Sequence, residues 1–228
     1  MRGSSRRGTL RTVYTCMAVV LSVVAQGCHY GSMIGAANLG ESGMTLTGSV
    51  GLPAYLSSND RRQAGETDTD DVPVSPGLTF LAGATDRIDV GVYARGYGIG
   101  PIARVGLLEP GGTAAVSVSA GAGYVIPAKL LSTRFGIAAG YGYGRSLEVY
   151  AGWDGGYGPD VVNIPKDTDG DSDWSSIANR FHHFVSAGII YLLPRSGGDW
   201  VPESVGFEFA VPLDLSRNLV MFGMAVTY

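Results

Sequence analysis

From residue 44 to the end, apolar and small or polar residues alternate with a period of two. Ile88, Val90, Val92 and Ala94 fall on one face of an extended strand, and Asp89, Gly91, Tyr93 and Arg95 on the other. Ala103, Val105 and Leu107 oppose Arg104 and Gly106 in the same way. Ala114, Val116, Val118, Ala120 and Ala122 oppose Ser117, Ser119, Gly121 and Gly123, while Leu147, Val149, Ala151 and Trp153 oppose Glu148, Tyr150 and Gly152. Val205, Phe207, Phe209, Val211 and Leu213 oppose Gly206, Glu208, Ala210 and Pro212.

Glycine-rich or polar turns interrupt this pattern and predict ten strands, at 44–56, 76–85, 87–97, 101–108, 113–125, 133–143, 146–154, 181–193, 203–213 and 218–228. Eight is the alternative count. The expected fold is all-β, a closed antiparallel up-and-down transmembrane β-barrel. Short links alternate with longer ones, of which 57–75 and 154–180 are long and acidic. In outer-membrane barrels short turns face the periplasm and longer loops the outside, and an even strand count returns both termini to the short-turn side. Beyond the N-terminal segment no stretch approaches 18 consecutive apolar residues, so a transmembrane helix is excluded.

The alternation alone also fits a β-sandwich or a lipocalin-like barrel with its apolar face inward. Composition separates the two. Charged residues make up 16% of the chain, against roughly 25% in soluble domains, and 35 residues are glycine. A soluble barrel would then show water a face of glycine, alanine and serine with too few charges. Turned inward, that face suits a narrow lumen, where small residues leave room and isolated charges must be paired. Asp89, Glu148 and Glu208 balance Arg95, Arg104 and Arg134 on this parity, which predicts an ionic network plugging the lumen. Tyr55, Tyr97, Tyr124, Tyr141, Tyr143, Trp153, Tyr191 and Tyr228 lie near strand ends, where interfacial aromatic girdles sit.

The two ends of the chain agree with a membrane destination. Arg2, Arg6, Arg7 and Arg11 precede an apolar run from Val13 to Ala25, so residues 1–27 read as a signal peptide. Ala25-Gln26-Gly27-Cys28 resembles a bacterial lipobox, although Ala25 and Gln26 replace the usual larger aliphatic and small residues. The resemblance implies acylation of Cys28, followed by a flexible tether over 28–43 and the barrel over 44–228. Without the signal, 12 basic residues face 20 acidic ones, a net charge of −8 that opposes a nucleic-acid partner. Val220, Phe222, Met224, Val226 and Tyr228 resemble the C-terminal insertion signal of outer-membrane barrel proteins, a terminal aromatic preceded by apolar residues at every second position. That resemblance implies recognition by the barrel-assembly machinery, residence among outer-membrane lipid, and a last strand that closes the sheet.

Candidate chemistry is sparse. Asp167, Asp169, Asp171 and Asp173 alternate in the longest loop, an oxygen-rich pattern that suits calcium. The spacing departs from an EF-hand, with Gly170 at the fourth position and Ala178 at the twelfth, and a solvated acidic loop explains it as well. His182 and His183 open the eighth strand, where adjacent side chains point to opposite faces. A surface protease similar to the omptins would need both acidic loop residues and such a histidine, and nothing else here matches that family. No catalytic residue is assigned and no cofactor is expected. The leading expectation is a structural or surface-interaction protein, ahead of a narrow channel for small solutes and, last, a surface hydrolase.

Overall fold

A computed structural model describes residues 35–55, 75–95, 98–143, 145–159, 173–194, 202–213 and 219–228. Ten strands form: β1 (Met44–Tyr55), β2 (Ser75–Gly83), β3 (Ile88–Arg95), β4 (Gly98–Gly106), β5 (Ala114–Val125), β6 (Leu130–Tyr141), β7 (Leu147–Pro159), β8 (Asn179–Leu192), β9 (Ser204–Pro212) and β10 (Leu219–Thr227). Each pairs antiparallel with its neighbours in sequence, and β1 pairs with β10, which closes the barrel. The fold is therefore the up-and-down barrel that the alternation predicts.

The strands run from 8 to 14 residues, a range that contains the roughly 9–11 residues a tilted strand needs to cross a bilayer. The start of β1 and the end of β10 share the end of the barrel, here the near end, that carries the 84–87, 107–113, 142–146 and 193–203 connections. The far end carries 56–74 and 160–178, together with three shorter links. The strict alternation of long and short links is relaxed there. The predicted link at 98–100 is strand, and β6 begins at Leu130 rather than at 133, because extended pairing continues through small residues.

The largest departure is the β7–β8 hairpin. Residues 154–159 read as the start of the long acidic loop, with 154 also closing the predicted strand, yet they pair with 179–184 across from them. Extended pairing continues there: Asp154 points inward and Tyr157 outward, with Gly155 covered by the Trp153 ring.

Closure is secured at the C-terminus. Thr47 to Tyr55 of β1 lie opposite Thr227 to Leu219 of β10, and the amides of Leu46 and Tyr228 each donate to the other's carbonyl at 3.1 and 3.0 Å. A sheet closed in this way leaves no edge strand. Phe222, Met224 and Tyr228 point outward, with Phe222 edge-on to Phe209 at 5.5 Å. Val226 is half-buried, and Val220, at the far-end entry to β10 opposite Ala54, is buried rather than outward-facing. Removing Tyr228 deletes the last pair of seam hydrogen bonds. We expect this deletion to lower the yield of folded barrel in membranes, read as loss of the heat-modifiable band on unboiled gels, with Tyr228→Phe restoring it.

Candidate functional site

The inward parity of the strands builds the site. Asp89, Arg95, Arg104, Glu148 and Glu208 are buried, and Arg134 is mostly so, all on the lumen side as their sequence positions predict. One carboxylate is new to the set: Asp154, placed in a loop by the sequence reading, is buried in the lumen with them. Inward apolar residues share the space, with Leu81, Tyr93 and Ile102 packed as a cluster and Phe184 and Met221 buried elsewhere in the barrel.

Asp89 and Arg104 stand directly opposite each other on β3 and β4. Arg104 donates to Asp89 Oδ2 from Nε at 2.8 Å and from Nη2 at 2.7 Å. Arg134 Nη2 donates to Asp154 Oδ1 at 2.8 Å. Tyr150 donates its hydroxyl to Glu208 Oε2 at 2.8 Å, and Arg95 reaches Thr79 Oγ1 from Nε at 3.2 Å and Nη2 at 3.0 Å.

Glycine makes these reaches possible. Gly188 lies between Tyr150 and Glu208 in one row across β7, β8 and β9, and a Cβ there would stand 2.5 Å from Tyr150 Cζ. Arg95 has Gly77 on one side and Gly98 on the other, and Arg134 has Gly121 and Gly156. A Cβ at Gly77 would stand 3.1 Å from Arg95 Cγ, and one at Gly121 3.3 Å from Tyr93 Cε1, so long inward side chains lie over these two glycines. A Cβ at Gly123 would likewise meet Tyr93 Oη at 2.5 Å.

The second feature of the site escaped the sequence reading. Residues 28–43 were expected to be a flexible tether, but the described part of that segment, 35–43, folds across the near-end mouth as a strap. Asn38 Nδ2 donates to the Arg87 carbonyl and to Asp89 Oδ2, both at 3.0 Å, and the Leu39 amide donates to Asp89 Oδ1 at 3.2 Å. Leu39 packs on the Leu81–Tyr93–Ile102 cluster, and Ala36 is wholly buried. The Gly35 carbonyl accepts from Arg104 Nη1 of β4 at 3.4 Å, while Gly35 itself lies beside Glu148 and Ile190 of the opposite wall. Asp89 therefore receives donors from both the wall and the strap. The only sequence signals were the Asn38-Leu39 pair, one polar and one apolar, and the small residues Gly35, Ala36, Ala37 and Gly40 around it.

The other candidates are dispersed. Cys28, Asp167, Asp169 and Asp171 lie outside the described residues. Asp173 caps the short 3-10 helix Trp174–Ser176, accepting from the Ser175 hydroxyl at 2.6 Å and its amide at 3.0 Å. The Ser175 hydroxyl bond holds its carboxyl below the usual carboxylate range. Among the described residues, no group of three or more metal-ligating side chains comes together. His182 points into the lumen and His183 away from it, stacked against Trp153 at 5.8 Å and Phe181 at 6.0 Å. Of the predicted aromatics, Tyr141, Tyr143, Tyr191 and Tyr228 are exposed at the near end and Tyr124 at the far end, whereas Trp153 is half-buried in the middle of β7, because that strand continues to Pro159. Tyr157 and Phe181 add to the far-end group, whereas the Tyr55 and Tyr97 side chains lie outside the described residues.

No protein-family model matches the chain, and no curated protein sequence matches it. Among solved structures it is similar to the outer membrane protein OprD from Pseudomonas aeruginosa, at 9% identity and a TM-score of 0.27, over 89% of this chain and 73% of that one.

The Arg104–Asp89 pair is almost wholly buried, so removing one partner strands the other. We expect Arg104→Ala to destabilise the barrel by about 3–5 kcal/mol, measured by thermal or denaturant unfolding in detergent. Arg104→Lys keeps the charge but loses the forked donor, and should recover only part of the loss.

Proposed function

We propose that the protein is a lipid-anchored outer-membrane barrel with a closed lumen, serving as a structural or surface-interaction element. The observation that carries this reading is the contrast between the two faces of one wall. Outward, Phe80, Val90, Val92, Ile99, Ile137, Val149, Ile189, Phe207 and Met224 form an apolar surface that goes round the barrel. Monomeric soluble proteins rarely leave so large an apolar surface open to water. Inward, arginines, carboxylates, bulky side chains and the strap occupy the interior. Aromatic side chains at the two ends suit the two interfaces of a bilayer.

In this reading residues 1–27 are removed on export and Cys28 is acylated. The near end then faces the periplasm, and 56–74 and 160–178 face outside, where a surface partner would meet them. The ion pairs and strap obstruct solute passage, so the barrel presents loops without serving as a pore.

Two measurements test the proposal. Purified protein in a planar bilayer should show no steady conductance, whereas deletion of 35–40 should give measurable current. A wild-type barrel that conducts steadily establishes the narrow-channel alternative instead. Labelled fatty acid should enter the wild type and not Cys28→Ser. An unlabelled wild type that still reaches the outer membrane would remove the anchor and leave the barrel.

A further inference from the structure

The wall carries a concavity of about 730 Å³ along β7, β8, β9, β10 and β1, lined mainly by outward-facing residues, with the inward Tyr150 and Glu208 also among its lining. Small residues such as Ala187 and Gly223 lie within it, and Phe207, Phe209, Phe222 and Met224 line it. Val149 is the third residue of β7, and Ile189 and Met224 are each the fourth from the near-end termini of their strands. This groove therefore begins in the half of the wall nearest the chain termini and runs on past its middle, where Leu52, Phe209 and Phe222 line it.

The strap leads to the same sector from inside. It crosses the mouth from the β2–β4 wall and reaches Gly35, where a Cβ would stand 2.9 Å from Ile190 Cδ1 and 3.3 Å from Glu148 Oε1. Glu148 and Ile190 are cross-strand partners on β7 and β8. The next pair, Val149 and Ile189, points through the wall to the groove outside. Cys28 precedes Gly35 by seven residue steps, and an extended chain of that length spans about 23–25 Å. From Glu148 the lip of the barrel is one residue away, and from Ile190 it is two, about 3–7 Å along a strand. The segment is thus long enough to pass over the lip and set Cys28 beside the foot of the groove.

We propose that the acyl chains of Cys28 occupy this groove. The assignment rests on the lipoprotein reading above, and it adds where the anchor goes. The lipid belongs to the chain itself, and it enters the leaflet in which the groove lies. Strap and anchor then form one continuous brace: β1 holds the strap at one end, and the seated lipid holds it at the other.

Photocrosslinking in native membranes tests this. Benzoylphenylalanine is placed at Phe222 or Met224 in the groove, and at Val90 or Val105 on the outer faces of β3 and β4 as controls. After digestion, the groove positions should yield adducts joined to the acylated peptide that begins at Cys28, and the controls should not. Cys28→Ser should abolish these adducts, and Ala187→Trp, which fills part of the groove, should diminish them while acylation persists. Equal adduct yields at groove and control positions would overturn the assignment, as would groove adducts made only with free phospholipid or with a second copy of the chain. In those cases an acylated intact mass leaves the lipoprotein reading standing. An unacylated wild-type mass overturns both.

Discussion

The width of a ten-stranded interior governs the rest of this structure. A barrel of about eight strands is just filled by its own side chains, and one of 16 or more encloses a water-filled channel. Ten strands leave a gap that ordinary inward residues do not fill, while offering too little space to solvate several charges separately. The chain meets this constraint in three ways. Long arginines span the gap, glycines make room for them, and the strap 35–43 fills what remains at one mouth. Each device depends on the others: Tyr150 reaches Glu208 only across Gly188, and the strap shares with Arg104 the carboxylate of Asp89.

Asp89 is the point where wall and strap meet. Its two oxygens accept from Arg104 Nε and Nη2, from Asn38 Nδ2 and from the Leu39 amide. A wholly buried carboxylate is costly unless its lone pairs are satisfied, and here they are satisfied by two different parts of the chain. Losing the strap therefore exposes a charge as well as opening a mouth. Losing Asp89 would remove two of the strap's hydrogen bonds, those of Asn38 Nδ2 and the Leu39 amide, and leave the Arg104 guanidinium without its closest carboxylate. Stability and occlusion are coupled through one residue.

The barrel itself was legible because alternation is a local property that survives any error of one or two residues at strand ends. The inward parity of Asp89, Arg95, Arg104, Arg134, Glu148 and Glu208 followed directly from it. Asp154 was missed because Asp154-Gly155-Gly156 reads as a turn to any rule based on turn-forming residues. In a narrow lumen glycine also means room beside a long neighbour, and Gly156 lies opposite both Arg134 and His182. The strap was missed for a different reason. Its residues have no period, and what orders them is a complementary cavity built from strands that begin some 40 residues later in sequence. Val220 shows the limit of parity itself, since a residue with outward periodicity is covered where the strand enters the sheet.

An apolar filling would have closed the lumen without desolvating charges, so the choice of ion pairs needs its own physical reason. A strand apolar on both faces has no preferred side, and a slip of one residue exchanges them at little cost. Arg104 removes that freedom. It sits directly opposite Asp89, between the outward Ala103 and Val105. Shifting β4 by one residue would send its guanidinium toward lipid, at about 2–4 kcal/mol near the bilayer midplane, and would leave Asp89 buried without it. The pair thus fixes which face of β3 and β4 points inward and which residues stand opposite. Tyr150 and Glu208 do the same for β7 to β9, where the hydroxyl reaches its carboxylate only if Gly188 lies between them. The network that fills the barrel also specifies its register, and with it the cavity into which the strap fits.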